Sequence, residues 1–503
     1  MIVLSFIGHF SVGLLTLLVL LIAYYKWSFL YWKKKNIPYI EPTIPFGNLM
    51  NMVTRKISRI EELTMLYNNL KAKGYKHCGI WQLAAPTYFV LDLDLLKNIL
   101  IKDFDHFVDR GFYCNEKDDP IGCHLFAIEG DRWKKMRKQA STIFTATKLK
   151  GMFQILQECG NNMQNYIDNL IENGDQPVNM KDIASSFTAD TVGSSTMGIK
   201  CRSFTDTDKN FMNHGRQALE TDRKGQLRLL FGQFFPNLAR KLGLRQIKRE
   251  VSDFFYRVIL DTVDKRKKNN VERNDFLQLL MNMKENSNSG PPLSTDDLVA
   301  LSFGLFIGGF ETSASSFTFC VYYLALHQDI QEKVREEVKR VTAKYNNEIT
   351  YDCLSELTYM QQVFDETWRL NPPAHTVNRV CTKDYKVPGE DLVIEKGTQV
   401  LVTITGIHQD KEYYHNPKEF DPEHFNAENS KNRPPFAFIP FGAGPRICIG
   451  ERFGKMSLKS AMALLLRRYR VTLAKRTLVP LKLCPTPFVP VAEGGVWVHF
   501  QKL

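Results

Sequence analysis

What this sequence lacks narrows its class before anything it contains is considered. Its ten cysteines, at 78, 114, 123, 159, 201, 320, 353, 381, 448 and 484, include no C-x-x-C pair. That argues against a disulfide framework and for a reducing compartment, with most cysteines packed as plain core residues. No Lys-Ser or Lys-Thr follows the glycines near 444, and Ile447 stands where a dinucleotide fingerprint needs glycine, so neither phosphate-binding loop fits. No basic block carries interleaved aromatics, which argues against nucleic acid; the net charge of +12 points instead to acidic partners or anionic lipid. There is no internal repeat and no flavin or nicotinamide fingerprint. With 503 residues and 44% hydrophobic content the chain can bury a large core, and length alone allows two to four domains.

Charge is also missing at the start. Between Ile2 and Tyr25 there is no Lys, Arg, Asp or Glu, in a run long enough at ~1.5 Å per residue to cross a ~30 Å hydrocarbon core. No basic start or small-residue cleavage site marks a signal peptide, so the run reads as an uncleaved anchor, residues 1–25. Lys33, Lys34 and Lys35 follow it and place the bulk of the chain on the cytosolic side. Residues 26–47, basic and then broken by Pro38, Pro42 and Pro45, read as a semi-rigid extended connector, leaving 48–503 as the globular part.

Within the globule, Cys78 to Val90 predicts a strand pair broken at Pro86. A helix is expected over Asp131 to Lys148, with Trp133 and Arg137 four apart on one face. Leu227 to Leu244 mixes Leu and Phe with Arg240 and Lys241, as a segment on a membrane surface or in a core would. A polar linker spans Asn269 to Pro292. Ser294 and Asp297 then cap a helix expected to run to about Leu326, apolar on nearly every side yet carrying Gly308, Gly309, Glu311 and Thr312. Adjacent glycines and an acid beside a hydroxyl are costly there, so function or a kink must explain them. A later helix holds Glu366 and Arg369 at i,i+3 and stops at Pro372; short strands follow between Thr376 and Ile404.

The stretch Pro440 to Gly450 (PFGAGPRICIG) packs three glycines and two prolines around one cysteine, immediately before a helical run from Glu451 to Arg470. Such a loop is neither helix nor strand. Cys448 is expected near a helix N-terminus, where the dipole and free N–H groups favour the thiolate that binds metal.

Taken together these residues resemble the cytochrome P-450 superfamily of haem-thiolate monooxygenases, and most closely its insect and vertebrate microsomal group. Phe441, Gly444, Arg446, Cys448 and Gly450 fit the pattern F-x-x-G-x-R-x-C-x-G. Trp133 and Arg137 fit W-x-x-x-R, Gly308 to Thr312 fit G-G-x-E-T, and Glu366 with Arg369 fits E-x-x-R. The resemblance implies a mostly α fold with a smaller β region, a helical prism around haem b (iron protoporphyrin IX) behind the N-terminal span. It implies that Cys448 is the axial ligand of the iron, with Phe441 and Gly442 beside it. By the same resemblance Trp133, Arg137, Arg379 and Arg446 hold the propionates, Glu366 and Arg369 lock the core, and Glu311 and Thr312 relay protons. One departure stands out: the family's P-E-R-F segment reads Pro422-Glu423-His424-Phe425 here, which puts the third contact to Glu366 in doubt.

The implied reaction is insertion of one oxygen atom of O₂ into an apolar organic substrate, with detoxification of foreign compounds or plant toxins placed first. Electrons would come from NADPH through the membrane-bound NADPH–cytochrome reductase, with cytochrome b5 as a further donor. Lys134, Lys135, Lys138, Arg452 and Lys455 are the candidate docking cations. The implied location is the endoplasmic reticulum membrane. Phe107, Phe112, Phe306, Ile307, Ala374, Thr376 and Phe488 are candidate pocket residues, Phe488 within the stretch Thr486 to Phe488. Competing readings are an endogenous hormone, lipid or pheromone substrate, a haem-thiolate isomerase or dehydratase, and a haem sensor without turnover.

Overall fold

The computed structural model describes residues 2–174, 176–205, 209–219, 223–285, 293–485 and 487–503; within its helices the side chains of 2–8, 209, 223, 224 and 226 are not described. Thr486 and residues 286–292 of the polar linker therefore lie outside the described residues.

Helix α1 (Ile2–Ser28) stands away from the globule with Phe10, Leu14, Leu18 and Leu21 exposed. Two helices among the described residues are long and apolar enough to cross a membrane. In the apolar stretch of the N-terminal one only 6% of residues are buried, whereas in that of the other, Thr295–Leu326, 61% are, and it belongs to the core. An uncovered apolar rod of this length is stable in lipid rather than water, so α1 fits a membrane anchor. The segment after it packs onto the first sheet. Trp32 is fully buried and donates its indole N–H to the Ile80 carbonyl at 3.0 Å, and a Cβ on Gly79 would run into the Trp32 ring.

Helix α2 (Arg59–Ala72) leads into β1 (His77–Gln82) and β2 (Ala85–Val90), an antiparallel pair. The turn is at Leu83–Ala84, not at Pro86 as the sequence suggested. Pro86 sits inside β2 opposite Trp81, tolerated because the strand on the other side of β2 pairs only from Thr87 onward, so no ladder bond needs its missing N–H. Helices α3 (Gly130–Ser141), α4 (Phe153–Glu172), α5 (Met180–Met197, after the short β3, Val178–Asn179), α6 (Arg223–Phe234) and α7 (Pro236–Lys241) come next. The helix expected through Lys148 ends at Ser141, where the β-branched run Thr142, Ile143 and Thr145 intervenes and the Thr142 hydroxyl donates to the Gln139 carbonyl at 2.8 Å. Against the expectation of no disulfide, Cys114 and Cys123 are joined, with Cα atoms 5.3 Å apart. Spacing could not show it, because the loop between them brings together cysteines that no short motif links.

Helix α8 (Thr295–Leu326) is the axis of the domain. Its start is set as the sequence indicated: the Ser294 hydroxyl accepts the Asp297 N–H at 3.0 Å while the Asp297 carboxylate accepts from Ser294. Helix α9 (Thr358–Leu370), β4 (Thr376–Val380), β5 (Gln399–Thr403), α10 (Glu451–Arg468), β6 (Tyr469–Leu473) and β7 (Trp497–Lys502) complete the chain. The main sheet runs β1-β2-β5-β4 and a second runs β3-β7-β6. One large hydrophobic core surrounds α8 and α10, and a smaller one joins Trp32, Trp81 and Tyr88 to the main sheet.

Candidate functional site

The cysteine loop lies between the two cores. Gly442 and Gly444 have φ of 77° and 72°, in the left-handed region, and a Cβ on Gly444 would collide with the Leu100 carbonyl. A short 3₁₀ turn, Gly444–Arg446, follows, and the Cys448 N–H donates to the Phe441 carbonyl at 2.9 Å, closing the loop. Phe441 packs edge-on against Trp368 at 5.0 Å. Cys448 is the exposed one among the free cysteines of the described residues, although protein packs densely around it. A thiol that is both enclosed and accessible lines interior space. Burial raises its pKa, opposed by the Gly450 N–H, Arg137 and Arg110, so the protein alone favours the neutral thiol. The N–H at the helix start lowers the pKa as expected, but desolvation outweighs it, and a cation on the sulfur is what would deprotonate it.

Around the thiol stand four guanidiniums, from Arg110, Arg137, Arg379 and Arg446. Arg446 is held over the Trp133 ring at 3.9 Å and donates to the Val108 and Ile128 carbonyls at 2.8 and 3.0 Å. Arg110 donates to the Arg446 carbonyl at 3.0 Å. Buried without acceptors are Arg379 Nε and Arg446 Nη1, and Asp109, 3.7 Å from Arg446, is the one carboxylate in ion-pair range of the group among the described residues. Burial first and neighbouring arginines second pull Arg446 down to about 9, Arg110 to about 10 and Arg379 well below the ordinary value. Buried like charges with orphan donors are costly unless an anion joins them. The cluster could hold two carboxylates, and the accessible thiol beside it could hold a metal, which together fit a haem.

Beneath the loop a second ionic group is fully answered. Glu366 and Arg369, both fully buried, pair through two contacts of 2.6 Å. Arg369 also donates to the carbonyls of His408, Pro417 and Glu419 at 3.1, 2.7 and 2.9 Å. The contact left in doubt is made: His424 Nδ1 lies 3.2 Å from Glu366, and its Nε2 lies 2.7 Å from the His415 carbonyl. Burial opposes the charged ring, but Glu366 outweighs it and the His424 pKa is raised.

Midway along α8, Gly308 is exposed and Thr312 half-buried in an otherwise packed helix, and a Cβ on Gly308 would meet nothing within 4 Å. The Thr312 hydroxyl donates to the Gly308 carbonyl at 2.6 Å. Glu311 faces the other way and pairs with Lys181 of α5, so the structure does not bring the acid and the hydroxyl onto one surface.

The candidate pocket residues divide. Phe107 is fully buried against Tyr385 at 4.9 Å, and Phe306 is fully buried and stacked on Phe310 at 5.3 Å; the structure puts both in packing clusters. Phe112, Ile307, Ala374, Thr376 and Phe488 keep accessible surface. Of the candidate docking cations, Lys134 pairs with Asp105 at 3.3 Å and Lys455 with Glu451 at 2.7 Å, while Lys135, Lys138 and Arg452 are exposed. Sequence reasoning missed Arg110 and Lys181. Neither belongs to a motif, and the contacts that bring them to the site, Arg110 to Arg446 and Lys181 to Glu311, span more than a hundred residues of chain.

The comparisons agree with this geometry. The family described as "Cytochrome P450" matches residues 40–495. Cytochrome P450 6a9 of Drosophila melanogaster is 38% identical over 99% of this chain and 100% of its own length. Cytochrome P450 6A1 of Musca domestica is 38% identical over 99% of this chain and 98% of its own. The probable cytochrome P450 6a19 of Drosophila melanogaster is 38% identical over 95% of each. The loop around Cys448, the buried Glu366–Arg369 pair and these matches along almost the whole chain make the protein a member of the cytochrome P450 family of monooxygenases.

Proposed function

We propose that this cytochrome P450 is a membrane-anchored haem-thiolate monooxygenase acting on apolar organic compounds, foremost foreign ones, with electrons drawn from NADPH through a reductase. The observation that carries the reading is the juxtaposition of one accessible free thiol, Cys448, with a cluster of four guanidiniums that has one carboxylate in range among the described residues and orphan N–H groups on Arg379 and Arg446. Haem bound there supplies O₂ activation and oxygen-atom transfer. Cys448 holds the iron, and Arg110, Arg137, Arg379 and Arg446 hold the propionates through charge-assisted bonds that a planar fork makes well. Trp133 keeps the Arg446 fork in place from below. Phe441 and Gly442 shape the loop that carries the sulfur.

Midway along α8, Gly308 leaves room and Thr312 Oγ1 supplies a hydroxyl proton. Because that hydroxyl donates to the Gly308 carbonyl, it must turn away from it to pass a proton into the pocket. Glu311, one residue away, is paired with Lys181 of α5 and joins a relay only if that pair opens. General-acid delivery of this kind is typically worth ~10²–10⁴-fold in rate. Residues 1–25 anchor the chain, 26–47 join the anchor to the sheet, and the catalytic domain faces the cytosol at the endoplasmic reticulum. Exposed Leu227, Phe235, Leu238 and Leu242 on and beside α6 and α7 give a second apolar contact with lipid. Reductase, and cytochrome b5 as a further donor, would dock on the exposed Lys135, Lys138 and Arg452.

The test supplies reductase, NADPH and isotopically labelled O₂ to the membrane-bound holoenzyme, together with apolar compounds that shift the ferric spin state. One labelled oxygen atom in the product is expected. NADPH consumption with no labelled product from any such compound would overturn the reading. In Thr312→Ala, product per NADPH should fall and peroxide should rise; an unchanged ratio would remove Thr312 from proton delivery.

A further inference from the structure

The bond between Cys114 and Cys123 has no part in the site described above. The other eight cysteines of the chain are free, so this pair belongs to no framework of the kind that holds a small secreted fold together. In a reducing compartment an isolated disulfide is ordinarily a transient or redox-sensing bond. Its two sulfurs stand in different surroundings. Cys123 is fully buried in the large core, whereas Cys114 is partly exposed. Cys114 lines a cleft of about 420 Å³ whose other walls are mostly charged, Lys117, Arg132 and Arg240 alongside Glu116, Asp118 and Glu129. An apolar compound gains nothing there. A small water-soluble thiol that carries carboxylates and an ammonium meets partners of both signs.

The bond closes a short loop held at its ends by two different parts of the domain. At the Cys114 end the partner is the connector after α7. The Tyr113 hydroxyl donates to the Leu244 carbonyl at 2.9 Å, Arg240 Nε donates to the Cys114 carbonyl at 3.0 Å, and the Asp119 carboxylate accepts the N–H groups of Gln246 and Ile247 at 2.8 and 3.1 Å. At the Cys123 end the partner is α8. His124, the next residue, packs on Gly304, where an added Cβ would come within 2.7 Å of the His124 Cβ, one turn ahead of Gly308. The base of the loop reaches the guanidinium cluster: Arg110 lies over the Phe126 ring at 4.3 Å, and Phe112 lies 5.0 Å from the same ring. Exposed Leu238 and Leu242 belong to α7 and its connector. The disulfide thus fastens a segment that runs between an apolar surface and the wall carrying Gly308. The hydrogen bonds remain when it is cut, so reduction loosens this segment without unfolding the domain.

We infer that the Cys114–Cys123 bond is a thiol-exchange site and a redox latch: a small hydrophilic thiol of the glutathione class opens it through Cys114, and the opened loop lets apolar compounds enter and leave the pocket faster. The attacking thiolate bonds to Cys114 Sγ, the Cys114–Cys123 bond breaks, and Cys123 leaves as a thiolate that takes a proton from water. A second thiol attacks the mixed disulfide, carries the first away as the oxidised dimer and leaves Cys114 reduced, so two electrons pass from two thiols to the protein. Burial closes Cys123 to direct attack. An excess of the oxidised dimer runs both steps backward. The supply of such a thiol rests on the cytosol-facing orientation proposed above; the exchange itself does not.

The experiment equilibrates the membrane-bound ferric holoenzyme with mixtures of reduced and oxidised glutathione. Free thiols are trapped with an alkylating label read by mass spectrometry, and binding of 4-phenylimidazole at the haem is followed by stopped flow. Excess oxidised glutathione should leave both cysteines unlabelled and excess reduced glutathione should label both, with the glutathione adduct forming at Cys114. The reduced protein should bind and release the probe several-fold faster with little change in Kd, because a loosened gate speeds both directions alike. Cys114→Ser should show the fast rates in every mixture. A pair that stays joined in excess reduced glutathione would make the bond a fixed brace, and a pair that stays labelled in excess oxidised glutathione would mean that no bond forms. Either result overturns the proposal, as would equal rates in the two states or a glutathione effect that persists in Cys114→Ser. Labelling and probe binding need no turnover. A working latch in a protein that oxygenates nothing would sink the monooxygenase reading and leave this inference standing, whereas a fixed pair in an active monooxygenase would sink this inference alone.

Discussion

Two groups of buried arginines flank the cysteine loop, and they differ in how their charge is answered. Arg369 has a carboxylate in bidentate contact and three carbonyl acceptors, with His424 completing the shell around Glu366. Arg379 and Arg446 keep orphan N–H groups and repel Arg110. A closed network is what a fold uses to hold itself together; an open one of a single sign is what it uses to hold something else. Both lie beside the loop of Cys448, so that loop has a finished floor and an unfinished wall.

The contrast can be broken by substitution. The largest effect is expected from Arg369→Ala, which strands Glu366 in the core and should cost ~3–5 kcal/mol, enough to abolish folded haem protein. Denaturant unfolding of the variant would show it, and near-wild-type stability would mean the network is not closed. Arg379→Gln should do the reverse. The apoprotein should be as stable as wild type or more so, since repulsion is relieved, while haem affinity drops roughly tenfold or more. Apoprotein unfolding and the rate of haem transfer to an acceptor protein separate these two effects.

A smaller effect concerns His424. Its ring faces an oxygen at each nitrogen, Glu366 on one side and the His415 carbonyl on the other, so only the imidazolium donates to both. With the folded pKa raised, this contribution is fully present below the unfolded value near pH 6.5 and is lost as pH rises through the folded value. Thermal midpoints should therefore fall across that window, and His424→Arg should flatten the slope. The smallest effect belongs to the exposed cations, whose charge water answers. Neutralising Lys135, Lys138 and Arg452 together should slow reductase-supported turnover several-fold at low salt and little at high salt. An equal loss at both salt levels would remove them from docking.

The same contrast separates what could be read from the residues from what could not. Cys448, the Glu366–Arg369 pair and the start of α8 at Ser294 were legible because each depends on neighbours within a few positions: a tight turn, one helix face, a capping box. Arg110 and the Lys181–Glu311 pair were not, since the contact that joins Arg110 to Arg446 and the one that joins Lys181 to Glu311 each cross more than a hundred residues. Phe107 and Phe306 resemble pocket residues in sequence because apolarity alone does not tell a wall from a core. Pro86 reads as a break in sequence because its role depends on which strand lies beside β2. At Cys448 the local signal, a helix start, points to a thiolate, whereas the surroundings raise the pKa; burial is set by the tertiary fold, and at this thiol it outweighs the helix start.

The spectrum of the reduced holoenzyme under carbon monoxide asks whether Cys448 is bound to iron as its thiolate. A red-shifted Soret band of the thiolate-ligated kind is expected, lost in Cys448→Ala. A band like that of a histidine-ligated haem in the wild-type protein would contradict it.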